Sequence, residues 1–279
     1  MAFGKMIEQV QVAQVSNSTQ FNGFNPFLSQ SEGKRVIRFL PDTADKNQPL
    51  LGPTVLHVWI TVQRNGAPTK RRIFIDPKDR YLLSESEQKE VRSRFFMNVY
   101  DRTPVIKLEN GSLVYPNGEQ KFLYKQDGKV LEAQGKPVRN NQIMIFEGSV
   151  SSGKGQNGLL NDIEAVSRTI FDDDNNLIPL TMVDLNIVTI GSGLQTKRTV
   201  FPGTNRDPLP EEALTCQIYD LESFAKPYPA ECIKHLKAGA DYADVMKEYN
   251  IAYMPKLIDR PTAPVQAQMV MEEEEDSLF

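Results

Sequence analysis

The sequence predicts a mainly β protein of α+β class, with a β-rich body, a small helical part after it and an acidic end. Three observations carry this. Between residues 34 and about 200, β-branched and aromatic runs recur, broken by Pro, Gly or Asp-Gly. Beyond residue 208 the pattern turns to short helical stretches. Finally, Glu272, Glu273, Glu274, Glu275 and Asp276 place five acids in succession. Such a run cannot enter a core, so a disordered tail in water is expected, tipped by Leu278 and Phe279.

Residues 1–30 form a polar arm rich in Gln, Asn and Ser, with Phe21, Phe24 and Phe27 at every third position. Asn, Gly and Pro between them argue against a helix. Lys34 to Leu40 reads as a strand stopped by Pro41. Thr54 to Val62 is a long β-branched strand, and Arg72 to Ile75 ends at Asp76-Pro77. Ser84 to Arg94 predicts a helix with a serine cap, acids in its first turn and cations later. Arg94 to Arg102 follows as a strand. Phe122 to Leu131 predicts a hairpin about Asp127-Gly128. Gln142 to Phe146 is a strand, Leu159 to Phe171 a helix, and Thr181 to Ile190 a further strand. Helices are expected near Glu211 to Leu214, Pro229 to Leu236 and Asp241 to Tyr249. Pro255, Pro261 and Pro264 then keep the chain extended. The division is an arm at 1–30, a core at 31–207, a helical extension packed on it at 208–254, and a linker with the acidic tail at 255–279.

The chain has 279 residues, with an ordinary 24% charged and 40% apolar content. Its net charge of −4 is set by the tail. Without those five acids, 31 of the 36 remain against 32 Lys plus Arg, leaving +1. The basic residues gather between about 64 and 140, so a local field favouring a polyanion is compatible with an acidic whole. Cys216 and Cys232 make no disulfide framework and suit a reducing compartment. With His57 and His235 they also fall short of zinc-ligand spacing. Neither a metal nor a cofactor is expected. No apolar run reaches a membrane-spanning length and no signal peptide is visible, so the cytoplasm is the expected location.

The segment 94–102 carries the most chemistry. Strand alternation sets Phe95, Met97 and Val99 on one face, and Arg94, Phe96, Asn98, Tyr100 and Arg102 on the other. Cations for phosphates, rings for base faces and an amide for base edges suit a single nucleic-acid strand. The alternative is an amphipathic strand with solvated arginines and core rings. Lys70, Arg72 and Phe74 share a face, opposite Arg71. Trp59 stands equally as a stacking platform or a half-buried anchor. Lys121 and Tyr124 lie beside the hairpin, and Lys197 and Arg198 follow the Gly191–Gly193 loop. Each is weak alone; their interleaving across strands is the signal. Gly148 to Lys154 fits G-x-x-x-x-G-K, but Gly155 stands where a P-loop needs Ser or Thr for magnesium, and further residues intervene before a helix. Lys154 on a glycine loop touching backbone phosphate is the preferred reading. Asp172 to Asp174 reads as a solvated loop, and no nucleophile–base pair is legible.

Val36-Ile-Arg-Phe-Leu-Pro41, Arg94-Phe-Phe-Met-Asn98, Gln142 to Phe146 with Gly158-Leu-Leu-Asn-Asp-Ile163, Thr181 to Ile190 and the acidic end occur in that order. Together they resemble the tailed-phage single-stranded DNA-binding (helix-destabilising) proteins. The resemblance covers roughly 34–200 plus the end, and the order of these short motifs carries it. It implies an OB-fold-type five-stranded barrel with added helices. It places Phe95, Phe96 and Asn98 in the strand feeding the DNA cleft, and strand parity favours Phe96 as the ring facing DNA. Residues 76–93 lack the His and Cys of zinc-holding members, and the helix at 84–94 stands there instead. The basic N-terminal arm is also absent, which leaves weak self-association through Phe21, Phe24 and Phe27.

The expected function is sequence-independent binding of single-stranded DNA in phage replication, recombination and repair, without catalysis, inside the infected bacterial host cell. The tail is expected to compete with DNA and to recruit polymerase, helicase or primase, and recombination proteins. Two alternatives are a nucleotide-binding enzyme using Gly148 to Lys154, and a virion or scaffold protein with a solubilising tail.

Overall fold

The computed structural model describes residues 26–28, 31–104, 106–107, 109, 113–114, 120–121, 125–126, 129–133, 136–138, 143–150, 158–191 and 196–260; the strands within 106–138 are described by their backbone alone. The protein is mainly β, built on one antiparallel sheet of seven strands with a few helices. The strands are β1 (Gly33–Phe39), β2 (Thr54–Arg64), β3 (Ala67–Ile75), β4 (Arg92–Asp101), β5 (Ile143–Ser149), β6 (Leu185–Ile190) and β7 (Lys197–Pro202).

β4 organises the sheet. One of its edges pairs with β5 from Arg94 to Tyr100. The other edge takes two partners end to end, β2 opposite Arg92 to Phe95 and β1 opposite Val99 to Asp101. β1 continues to β6 and then β7, while β2 continues to β3. The β2–β3 hairpin turns at Asn65-Gly66, whose φ angles of 51° and 75° are both positive. Arg64 and Ala67 close this two-residue loop, the geometry whose twist matches paired strands.

Two cores follow from strand alternation. Ile37, Phe39, Phe95, Met97, Val99, Phe146, Leu185, Ile187 and Val200 enclose one, plugged by Leu159 and Ile163 of α2 (Leu159–Ser167). Burying each large side chain here contributes about 1.5–3 kcal/mol. All five strands of the run β5-β4-β1-β6-β7 line this core. Its ends are tied by Arg198 of β7, whose Nη1–H donates to the Glu147 carbonyl of β5 at 3.1 Å. The run therefore curls without closing a backbone ladder, and the sheet is not a closed barrel.

The second core lies between the outer side of that run, the β2–β3 hairpin and the chain after 208. Here, after α3 (Glu211–Thr215), β8 (Ile218–Tyr219), paired with β9 (Leu257–Ile258), and α4 (Leu221–Phe224) cover Phe96 and Asn98. Tyr228 N–H then donates to the Phe74 carbonyl at the outer edge of β3. Past that edge, Cys232, Ile233 and Leu236 of α5 (Ala230–Lys237) and Val245 and Met246 of α6 (Tyr242–Glu248) join Val58, Ile60, Val62 and Ile73 in the same core. The extension thus wraps the β3 edge. Phe27 docks as well: Pro26 and Leu28 bond Ile145 of β5, and the Phe27 ring meets Phe96 and Phe224. Phe21 and Phe24 lie outside the described residues.

Several boundaries differ from those the sequence predicts. The helix expected over 84–94 is only α1 (Glu85–Glu90). Ser84 and Glu87 form the capping box, and Arg92 ends the helix by donating to the Lys89 and Val91 carbonyls. α2 stops at Ser167, not Phe171, where the Ser167 and Thr169 hydroxyls donate to carbonyls three residues back. The strand expected from Thr181 begins at Leu185. Ahead of it, Met182 N–H bonds the Pro179 carbonyl in a turn, and the Asp184 side chain is held by Arg38. β7 has no counterpart among the expected strands. Of the hairpin expected over Phe122 to Leu131, Gln126 pairs with Lys129, and the expected turn at Asp127-Gly128 lies outside the described residues. Among the described residues, no helix is long and apolar enough to cross a membrane.

Candidate nucleic-acid interface

The Asn65-Gly66 turn sets the register that builds the site. It puts Trp59 opposite Arg72, Thr61 opposite Lys70, and His57 opposite Phe74. β4 extends this face, with Arg92 opposite His57 and Arg94 opposite Val55. Glu147, paired with Phe96, extends it onto β5. Parity thus brings Trp59, Lys70, Arg72, Arg94 and Phe74 to one surface. Trp59 is 48% exposed, and Lys70 and Arg92 reach solvent.

Glu147 is the hub. Its carboxylate, 7% exposed, accepts from Arg72 Nη1 and lies 3.6 Å from Arg94 Nη1. Its carbonyl accepts from Arg198. Arg94 Nε–H donates to His57 Nε2 at 3.3 Å. Burial, and then the positive Arg94, Arg72 and Arg92, push the His57 imidazole down to about 3, so it is neutral at pH 7. Burial also lowers Arg94 and Arg198, which Glu147 partly offsets. Both stay cationic, because arginine titrates far above neutrality. Among the described residues the cluster gathers the guanidinium groups of Arg72, Arg94 and Arg198 about Glu147, edged by Lys70, Arg92 and exposed Trp59. It offers charge to phosphate and a ring to a base.

Phe96 is fully buried. Its ring meets Phe74, Phe27 and Phe224, so it cannot face a ligand. Phe74, equally, is buried. Both rings lie under the Arg72 guanidinium, at 5.6 Å and 5.8 Å, and support it by cation–π contact. Phe95 is buried in the inner core against Phe146. Asn98 is buried too, and its amide is spent on Tyr219. Nδ2 donates to the Tyr219 carbonyl and Oδ1 accepts from the Tyr219 N–H, both at 3.0 Å. The expected row is therefore interrupted: the extension covers its middle and leaves Arg94 on one side and Tyr100 and Arg102 on the other. Arg102 is bound to the Asp207 carbonyl and lies 3.5 Å from Asp184, while Tyr100 lines a shallow cleft with Pro208, Leu209 and Pro210. Arg71 points to the opposite side of the hairpin, over the Tyr242 ring. Lys197 is exposed, on the opposite parity to Arg198.

The Lys121 side chain, Tyr124, Lys154 and the tail residues 272–279 lie outside the described residues. The start of the glycine motif has a packing role. A Cβ on Gly148 would meet the Phe95 ring at 2.5 Å, and Ser149 Oγ accepts from the Leu159 N–H at the start of α2. Arg92, His57 and Glu147 complete the cluster. Arg92 shares the parity of Arg94 once the strand is extended backward, and Glu147 follows the Gln142–Phe146 run directly. Among the described residues, no three His, Cys, Asp or Glu side chains converge as metal ligands. Comparison with protein-family models, curated proteins and solved structures finds no match to the chain.

Proposed function

We propose that the protein binds single-stranded DNA without sequence preference, as the phage helix-destabilising proteins it resembles do, and that its strands form an OB-type fold. The observation that carries this is the half-open cluster of Arg72, Arg94 and Arg198 beside exposed Trp59 and Lys70. The connectivity supports it. Counted as β1, β4, β5, β6 and β7, five strands curl around one core with a helix between the third and fourth. The β2–β3 hairpin is then the excursion between the first and second strands, and 191–196 joins the last two. OB-folds take oligonucleotides on the second and third strands and on those same two connections. Trp59 and Arg72 lie on the first connection, Arg94 and Glu147 on the two strands, and Arg198 just past the second connection. Phosphates meet the arginines and a base stacks on Trp59.

In the same reading, Glu272 to Asp276 compete with DNA for this surface, and Leu278 and Phe279 recruit replication and recombination proteins once displaced. Titrating oligo-dT at two salt concentrations tests the core of the proposal. Trp59 fluorescence falls and a labelled oligonucleotide shifts in a gel, more weakly at high salt. A protein that shifts no oligonucleotide at low salt does not have this function. Deleting 271–279 tightens binding at low salt; unchanged affinity removes the competition.

A further inference from the structure

We infer that Glu147 is the built-in counter-anion of the arginine cluster, holding the guanidinium groups in place and capping how strongly the face attracts phosphate. This rests on the DNA-binding reading and specifies how that site is tuned. Glu147 is the carboxylate that pairs with Arg72 and Arg94 among the described residues, and it is almost fully buried. A carboxylate there is costly to desolvate and is tolerated because Arg72 and Arg94 flank it. Both arginine side chains stay partly in solvent, 24% and 28% exposed. Their remaining N–H groups can take a phosphate while the inner ones stay on Glu147. Stripped of the carboxylate, the face would gain one net positive charge and lose the anchor that aims Arg72 over Phe74 and Phe96.

The two roles separate in a salt titration. E147Q keeps the shape and a hydrogen-bond acceptor but removes the charge. If Glu147 acts as counter-anion, E147Q binds oligo-dT about five-fold tighter at low salt, and its log K against log salt slope steepens by about 0.7, one additional counterion released from a single strand. The charge-balanced double variant E147Q/R94Q returns the slope to the wild-type value and serves where E147Q alone does not fold. An unchanged slope in E147Q, or a slope in the double variant that stays steep, overturns the inference. So does weaker E147Q binding without a steeper slope, which would make Glu147 only a brace. In each of these cases the wild-type protein still binds oligo-dT, whereas failure of the wild type to bind strikes the function itself.

Discussion

Among the described residues, the arginine–carboxylate clusters around Asp184 and around Glu147 sit on the same sheet and differ in how their arginines are used. Around Asp184, Arg38 is fully buried. Its guanidinium donates to Asp184 Oδ1 at 2.7 Å and to the Asn205, Asp207 and Thr181 carbonyls. Arg102 adds its own contacts to Asp184 and Asp207. Around Glu147, Arg72 and Arg94 have fewer protein partners, rest on rings or on a neutral histidine, and stay partly in water. The first cluster pins the chain at 205–207 to β1, and little donor capacity is left over. The second retains donors and adjoins an exposed indole. Residue type does not separate the two clusters; the donors left unspent do.

The sharpest way to break this contrast is to remove the buried cation. Arg38→Ala takes the buried guanidinium from Asp184 Oδ1 and the Thr181 carbonyl, leaving Arg102 beside Asp184 and Asp207, and breaking a buried pair costs about 3–5 kcal/mol. Chemical denaturation should show that loss, while oligonucleotide affinity of the folded fraction stays the same. A loss of only a few tenths of a kcal/mol would put the two clusters on an equal footing.

Next in size is the histidine beneath the open cluster. The folded His57 titrates near 3, against 6.5 in an unfolded chain, so the unfolded state holds more protons between those values. Stability contributed by neutral His57 is complete above about 6.5 and falls as pH drops toward 3. The slope is at most about 1.4 kcal/mol per pH unit. His57→Gln should flatten this part of the acid limb in denaturation measured from pH 7 to pH 4. Equal slopes in both proteins would mean that His57 is not held neutral.

A smaller effect is expected at Asn98, which separates the two ends of the β4 row. Asn98→Ala removes the two hydrogen bonds to the Tyr219 backbone, at a cost of about 1–3 kcal/mol. Hydrogen exchange should rise at 218–219 and 257–258 before the sheet responds. If those amides stay protected, the extension is held by its ring contacts instead.

Much of the open cluster was legible because it depends on a period of two. Alternation along 57–61, 70–74 and 94–102 puts Trp59, Lys70, Arg72 and Arg94 on one face, and pairing preserves that parity. The cover was not legible. Whether Phe96 and Asn98 face a ligand is decided by Tyr219 and Phe224, over 120 residues later, and no local pattern reports that contact. Asn65-Gly66 is a local hairpin signal that would have fixed the β2–β3 register. Glu147 lies one residue past the apolar run 142–146, where its charge reads as the end of a strand. Arg92 follows Glu85 to Glu90 closely enough to pass for a helix C-terminal cation.

The smallest effect compares two exposed lysines. Lys70 lies opposite Thr61, on the face and two residues from the register of Trp59 and Arg72, whereas Lys197 has the opposite parity to Arg198. Neither substitution should move stability by more than about 0.5 kcal/mol, since both side chains are solvated. Lys70→Gln should nonetheless make the salt slope of oligo-dT binding shallower by about 0.7, because one phosphate contact is lost. Lys197→Gln should leave the slope as it is. Equal changes from both lysines would mean that DNA responds to the net charge of the whole protein. A change from Lys70 alone ties the strand to the face where Arg72 and Arg94 still have donors to give.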